Sequence, residues 1–389
     1  MKILDVTEFF SERGGGVRAY LAQLLREGTL RGHQVVVVAP GPRAEESTVH
    51  GGRLIRVKGP AMPYDPSYHA LWNFPALRAL VARERPDVLQ ASSPYLAAWL
   101  AATQPFVSVR SLVLHSDQIG SYARPVLSRW LGAERANAMV HPLWWGLRSL
   151  ASRFDCTVVS ARWLADQLTA EGIPRVVQAP FGIDRARFSP TLRDEALRAS
   201  LLGPYASDPR ARLVVIVGRL ALEKRVDLLL DALFLVARRR PLAVVVMGDG
   251  PERPLLEARS QSLGLGAVFL GFVTDRERYA RTLASADALV HGCAVETFGF
   301  AVAEALASGV PVAAPAAGGA GELVDATCGV TCDPEATPVE AALAIERLLD
   351  KPPGSMTAGA VARAATIPAA EAHFDELFMI YERAMRSRR

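Results

Sequence analysis

Two glutamates stand in an otherwise apolar run, ETFGFAVAE, with seven uncharged residues between Glu296 and Glu304. The stretch from residue 300 has helical character and stops at Gly309, which leaves Glu296 in the preceding loop and Glu304 in the second turn. That helix is small and apolar, and a carboxylate buried in it is costly unless something donates to it. Eight residues of helix would span roughly 12 Å, the order of separation between the two sugars of a nucleotide-sugar. The pair could hold two ends of one polar ligand, with ribose hydroxyls donating to Glu304. The amides of Phe298, Gly299 and Phe300, at the helix start, suit a phosphate or a sugar hydroxyl. The plainer alternative is one loop glutamate and one solvated helix glutamate.

A pair of cations occupies a comparable position. In GRLALEK, Arg219 lies just past the apolar run LVVIVG, and Lys224 follows it. A guanidinium fork and a mobile ammonium together can clamp a diphosphate. Cations at a helix start oppose its dipole and call for a compensating anion. The segment SERGGGVRAY sets Gly14, Gly15 and Gly16 between a strand and a helix. There the backbone can approach an anion closely. It is neither GxGxxG nor a loop ending in Gly-Lys-Ser/Thr, which disfavours a dinucleotide cofactor and nucleotide hydrolysis. In VLHSD, His115 closes a strand with Asp117 beside it, which suits a cleft-facing imidazole, the alternative being a structural histidine. Gly318, Gly319 and Glu322 form a further loop-to-helix turn, open equally to ligand lining and to plain turn chemistry. There is no Asp-x-Asp, and Cys156, Cys293, Cys328 and Cys332 lack zinc spacing. They read as small buried hydrophobes of a reducing compartment. No catalytic metal and no cofactor are expected.

The elements that must position these groups alternate between strand and helix. Residues Lys2–Val6 read as a strand, 17–27 as a helix and 33–39 as a second strand with the run VVVV. A helix over 71–83 and strands over 87–90, 108–115 and 156–160 continue the series. The pattern restarts with strands at 213–218, 243–247, 268–270, 288–291 and 312–314, separated by helices that include 226–238 and 251–263. Apolar strands between amphipathic helices imply parallel sheets covered on both faces. The fold class is thus α/β, with two Rossmann-like doubly wound domains facing a cleft. The expected division is 1–188 for an acceptor-side domain and 189–368 for a nucleotide-sugar domain. A terminal helix, 369–389, carries Phe374, Leu377, Phe378, Tyr381 and Met385 on one stripe and crosses back to the first domain. A chain of 389 residues, half of them hydrophobic, suits two cores. Its net charge of +4 tolerates anionic partners without demanding nucleic acid. The start, MKILDVTEFF, is too short and too acidic for a signal peptide. Residues 91–109 are uncharged but interrupted by Pro94, Gln104 and Pro105, so no membrane span is expected.

GRLALEK, MGDGPERPLLE, FLGFV, ETFGFAVAEALASGVPV and APFGIDRARFSP together resemble the retaining GT-B glycosyltransferases of family four. With GGGVRAYL, VVVVAPGP and AMPYDPSY, the first half is most similar to GDP-mannose-dependent α-mannosyltransferases that act on phosphatidylinositol mannosides. The resemblance covers most of the chain. It implies that Arg219 and Lys224 bind the donor diphosphate, that Glu296 contacts the hexose and that Glu304 holds the ribose. It further implies that Gly15 and Gly16 approach the phosphate or hexose, that His115 sits near the hexose and reaction centre and that the backbone near Val273 lies by the base. The family's Gly-Gly-x-Pro-Glu turn reads GGAGE here. The implied reaction is metal-independent transfer of a hexose, mannose from GDP-mannose, to a lipid or glycan acceptor. The alternatives are a UDP-glucose-dependent glucosyltransferase with a small-molecule or polysaccharide acceptor, and a nucleotide-sugar epimerase. A cytoplasmic location is expected. Residues 121–153 mix Arg124, Arg129, Arg135, Arg148 and Arg153 with Trp130, Trp144 and Trp145, which leaves two readings open: a peripheral contact with the inner face of the plasma membrane, or helix packing with solvated arginines.

Overall fold

The computed structural model describes residues 1–8, 10, 16–63 and 66–387. The chain forms two compact units, Met1–Phe181 with Ala370–Arg389, and Gly182–Ala369.

The first unit holds β1 (Lys2–Val6), β2 (Gln34–Gly41), β3 (Glu45–Val49), β4 (Gly52–Lys58), β5 (Val88–Ala91), β6 (Val109–Leu114), β7 (Cys156–Val159) and β8 (Val176–Gln178). They form one sheet in the order β3-β4-β2-β1-β5-β6-β7-β8. All neighbours pair in parallel except β3, which pairs antiparallel with β4. The strands of the parallel core are apolar because both faces are covered: Val35, Val36, Val37 and Val38 of β2 are all buried. The β3–β4 hairpin is absent from the sequence reading. Its outer strand, EESTV, is polar and half-exposed, and Glu45 and Glu46 on it keep this edge from pairing further. The three-residue β8 is too short to show periodicity.

The helix Ala370–Arg386 packs on this unit through His373, Phe374, Leu377, Phe378 and Tyr381. Tyr381 is fully buried and donates to the Gln90 side chain in β5. The Gln90 amide in turn donates to Asp5 in β1 and to the Tyr20 oxygen, the latter at 3.2 Å. Ser92 also donates to Asp5. Asp5 is wholly buried, and its second oxygen has no partner. Burial therefore outweighs its two donors and pushes the carboxyl from 3.8 up to about 7.

The second unit holds β9 (Arg212–Val217), β10 (Leu242–Met247), β11 (Val268–Gly271), β12 (Ala288–Val290), β13 (Val312–Pro315) and β14 (Gly329–Cys332). All are parallel, in the order β11-β10-β9-β12-β13-β14. The order reverses between β9 and β12, and the crevice outside the carboxyl ends of those two strands is where such sheets take ligands. The helix Val226–Ala237 follows β9 and buries Val226, Leu229, Leu230, Leu233 and Val236 under the sheet.

The raised Asp5 pKa makes a pH prediction. The folded chain keeps this proton where the unfolded chain releases it, so the stabilisation is present at low pH and fades as pH climbs from about 4 to about 7. Relative to Asp5→Asn, the wild-type melting temperature should fall across that window. A difference between the two proteins that stays constant from pH 4 to pH 7 contradicts the assignment.

Candidate functional site

At the carboxyl end of β9 the chain turns through Gly218 into Arg219, which is half-buried. A short helical turn, Leu222–Lys224, then brings the lysine round. The next residue, Arg225, takes the left-handed region at φ 50° to start the helix Val226–Ala237. Its guanidinium donates to the carbonyls of Pro334 and Ala336. The cation at this helix start thus finds protein carbonyls, which leaves Lys224 to face the crevice.

At the end of β12 the sequence HGCAVETFGF runs as a loop into the helix Phe300–Ala307. Here the loop from β12 meets the turn from β9: Lys224 Nζ donates to Glu296 Oε2 at 2.5 Å. Both side chains are about four-fifths buried. Burial alone would raise the Glu296 pKa, yet Lys224 beside it, and then His291, bring it below the ordinary value. Lys224 is shifted the opposite way: burial is overcome by Glu296, which holds its proton more tightly. The carboxylate and ammonium are both charged at neutral pH.

The same loop carries His291 and Cys293, whose ligating atoms and that of Glu296 lie within 4.8 Å of one another. His291 Nε2 is 3.6 Å from Glu296 Oε2, too long for a hydrogen bond, and is buried without a partner. Burial lowers the imidazole to about 4, so it is neutral. Sequence reasoning missed this grouping. His-x-Cys-x-x-Glu is not a familiar metal spacing, and only the loop's fold brings the three together. The ammonium already on the shared carboxylate would compete with any cation there.

Glu304 lies in the second turn, as its spacing implies, but its partners are unexpected. Tyr279 Oη donates to it at 2.6 Å, and Arg276 Nη2 lies at 3.5 Å. Arg276 also stacks over the Tyr279 ring at 5.3 Å. Burial raises the Glu304 pKa, opposed by Tyr279 and Arg276. The signal for Tyr279 was weak: a tyrosine on an amphipathic helix, Arg276–Ala284, reads as plain packing.

Glycines fix the loop. Gly299 caps the helix Phe300–Ala307 at φ 91°. Gly319 donates its amide to the Glu296 carbonyl at 2.6 Å. A Cβ on Gly319 would lie 2.7 Å from both Phe298 Cα and the Thr297 carbonyl oxygen. The GGAGE turn is therefore a packing surface for the Glu296 loop. Phe298 is buried and meets Phe300 edge-on at 4.8 Å. Val273 lies just past β11, half-buried.

The remaining candidates belong to the first unit. Gly14 and Gly15 lie outside the described residues. Gly16 opens the helix Gly16–Leu30, and space for a Cβ there is free. His115 follows β6 and is half-buried among rings: Tyr20 edge-on at 4.5 Å and Phe181 nearly parallel at 6.3 Å. Burial, then His373, hold its pKa at about 3. Asp117 turns away from ligand duty, because its carboxylate accepts the amides of Ile119 and Gly120 at 3.1 and 2.8 Å.

Residues 14–187 match the family described as Glycosyltransferase Family 4, and residues 202–365 match Glycosyl transferases group 1. A GDP-mannose-dependent alpha-(1-6)-phosphatidylinositol dimannoside mannosyltransferase of Mycobacterium tuberculosis is 30% identical over 86% of this chain and 85% of its own. The chain belongs to the family 4 glycosyltransferases. A GDP-mannose-dependent alpha-mannosyltransferase of Mycolicibacterium smegmatis is 33% identical over 83% and 82% of the two chains. Among solved structures, sucrose-phosphate synthase from Thermosynechococcus elongatus superposes with a TM-score of 0.77 at 20% identity, covering all of both chains. Anabaena HepE in complex with UDP-glucose gives 0.71 at 19%, covering 100% of this chain and 99% of that one. These likenesses concern the fold, which is GT-B. As a family 4 glycosyltransferase, the chain moves a sugar from a nucleotide-sugar. Among the described residues, no helix is long and apolar enough to cross a membrane.

The Gly319 contact yields a prediction. Gly319→Ala must displace the backbone of residues 297–298, at a cost of about 1–3 kcal/mol. The melting temperature should drop and donor-dependent activity should fall with it. Unchanged stability and activity would show that the turn does not support the loop.

Proposed function

We propose that the protein is a retaining, metal-independent α-mannosyltransferase that uses GDP-mannose and a mannosylated phosphoinositide or related glycan acceptor. The observation that carries this reading is the Lys224–Glu296 pair at the strand-order reversal, with Arg219 ahead of it and Glu304 one helix further on. The names of the most similar relatives support mannose and a lipid acceptor.

In this reading Arg219 and Lys224 hold the donor diphosphate. Negative charge gathers on that group as the glycosidic bond breaks, and cations already in place stabilise it without reorganisation. Glu296, kept ionised by Lys224, accepts from hexose hydroxyls and orients the ring. Glu304 accepts from the ribose. The amides of Phe298, Gly299 and Phe300 line the same side. The acceptor hydroxyl attacks on the face the diphosphate leaves, the departing phosphate taking its proton, so the anomeric configuration is kept.

The acceptor side rests on helices Arg124–Leu131 and Ala133–Ala151. Trp130 and Trp145 are 80% and 65% exposed, with Leu131, Met139 and Leu143 also outward. Arg124 and Arg135 are exposed on the same two helices. The Arg129 side chain lies outside the described residues. Trp144 departs from the sequence expectation: it is buried in the core of the first unit. Of the five arginines, Arg148 is engaged with the Glu171 carbonyl, and Arg153 stacks on Trp99. The outward tryptophans and arginines suit the headgroup region of an anionic bilayer.

Two experiments test the proposal. Initial rates with GDP-mannose, taken in EDTA, should persist in the wild type. They should drop by about 10²–10³ in Lys224→Ala, the worth of one transition-state donor. Glu304→Ala should raise the donor KM more than it lowers kcat. Near-normal rates in Lys224→Ala, or loss of wild-type activity in EDTA, would overturn the assignment. Second, the wild type should co-sediment with phosphatidylglycerol-rich vesicles, and a Trp130→Ala/Trp145→Ala double variant should do so less. Equal recovery of the two proteins removes the membrane contact.

A further inference from the structure

The second unit has a cavity of about 330 Å³ at the amino ends of its strands, the side of the sheet away from the Lys224–Glu296 pair. Arg212, the first residue of β9, lines it, as do Asp287 just ahead of β12 and the segment leading into β13. Its far wall is the start of the helix Thr357–Ala365 together with Lys351.

Three observations there converge on an anion. First, the helix Thr357–Ala365 has no side chain capping its N-terminus, and that end carries the positive pole of its dipole. Second, Ser308 lines the cavity and is 2% exposed, yet its hydroxyl has no hydrogen-bond partner. A buried orphan hydroxyl is costly, and a ligand oxygen would relieve that cost. Third, cations outnumber acids. Arg193, Arg212 and Lys351 line the cavity against one carboxylate, Asp287. Asp287 is already engaged by Arg198 at 2.7 Å and by the Leu213 amide at 2.7 Å. Arg193 pairs with Glu195, and Arg212 donates to the carbonyls of Pro209 and Ala211. Among the described residues, the Lys351 ammonium has no ion pair or hydrogen bond.

We propose that this cavity is a second ligand site, which takes a small phosphomonoester of about sugar-phosphate size. The phosphate sits at the start of the helix Thr357–Ala365 with Lys351 against it, and Ser308 meets a ligand oxygen. A helix N-terminus with a lysine nearby is a common cradle for phosphate. The cavity volume, at the low end of ordinary ligand sites, suits a single hexose phosphate. This site is separate in sequence and in place from the donor site, since it uses none of Arg219, Lys224, Glu296 or Glu304.

Isothermal titration calorimetry with inorganic phosphate and with glucose 6-phosphate tests it, the circular dichroism of each variant being checked first. Both probes should bind the wild type and an Arg219→Ala/Lys224→Ala double variant alike. Lys351→Ala, a change at an exposed position, should weaken binding about tenfold, the usual worth of one charge-assisted hydrogen bond. Ser308→Ala should weaken it less. No binding to the wild type overturns the proposal. So does binding that is indifferent to Lys351, or binding that disappears only in the double variant, which would locate the anion at the donor site.

Discussion

A carboxylate and an ammonium 2.5 Å apart, each largely removed from water, are a demanding thing to hold together. Taking two charges out of solvent costs several kcal/mol per ion by order of magnitude, and only close geometry recovers it. Much of the second unit is arranged around that need. The reversal of strand order sets the ends of β9 and β12 side by side, so two loops distant in sequence can exchange one ion pair. Arg225 spends its charge on the carbonyls of Pro334 and Ala336 and does not compete for Glu296. The loop behind Glu296 leaves no slack, because the amide of Gly319 holds its carbonyl. Removing either member would strand a buried charge, which is why the two shifts are reciprocal in direction.

The two glutamates of one short segment are driven in opposite senses. Glu296 faces a full positive charge and stays ionised more readily than a free carboxylate. Glu304, buried and met mainly by a phenol, holds its proton more readily than one. Environments that split chemically identical groups in this way assign them different work. The first is suited to a permanent negative charge beside a sugar ring. The second is suited to sharing hydrogen bonds with hydroxyls, as it now does with Tyr279.

Much of this was legible in the residues. Alternating apolar runs marked the parallel strands of both sheets, because a strand buried on two faces cannot hide its composition. GRLALEK and ETFGFAVAE stood out since charge in apolar surroundings is rarely idle, and Lys224 and Glu296 do meet. The rest was hidden for physical reasons. The strands β3, β4, β8 and β14 are short or polar, so pairing with neighbours defines them more than composition does. Tyr279 reaches Glu304 across 25 positions of sequence, and no local pattern encodes such a contact. Trp144 and Trp145 are adjacent letters with opposite fates, buried and exposed, which only the helix's orientation on the core decides. The turn at Gly318–Glu322 looked ambiguous because its role is steric: what matters is the missing side chain.

The second unit is an insertion in the first. Its two ends run alongside each other, joined by a bridge between Ile183 and Ala369 and by the Ile183 amide donating to the Pro368 carbonyl at 3.1 Å. Tyr381, which closes the buried network with Gln90 and Asp5, arrives only with the last helix. On the ribosome, then, the second unit is fully synthesised while the first still lacks a core residue. The order of completion runs against the order of the letters, and the first sheet must wait with a buried acid uncovered until the helix Ala370–Arg386 has been made.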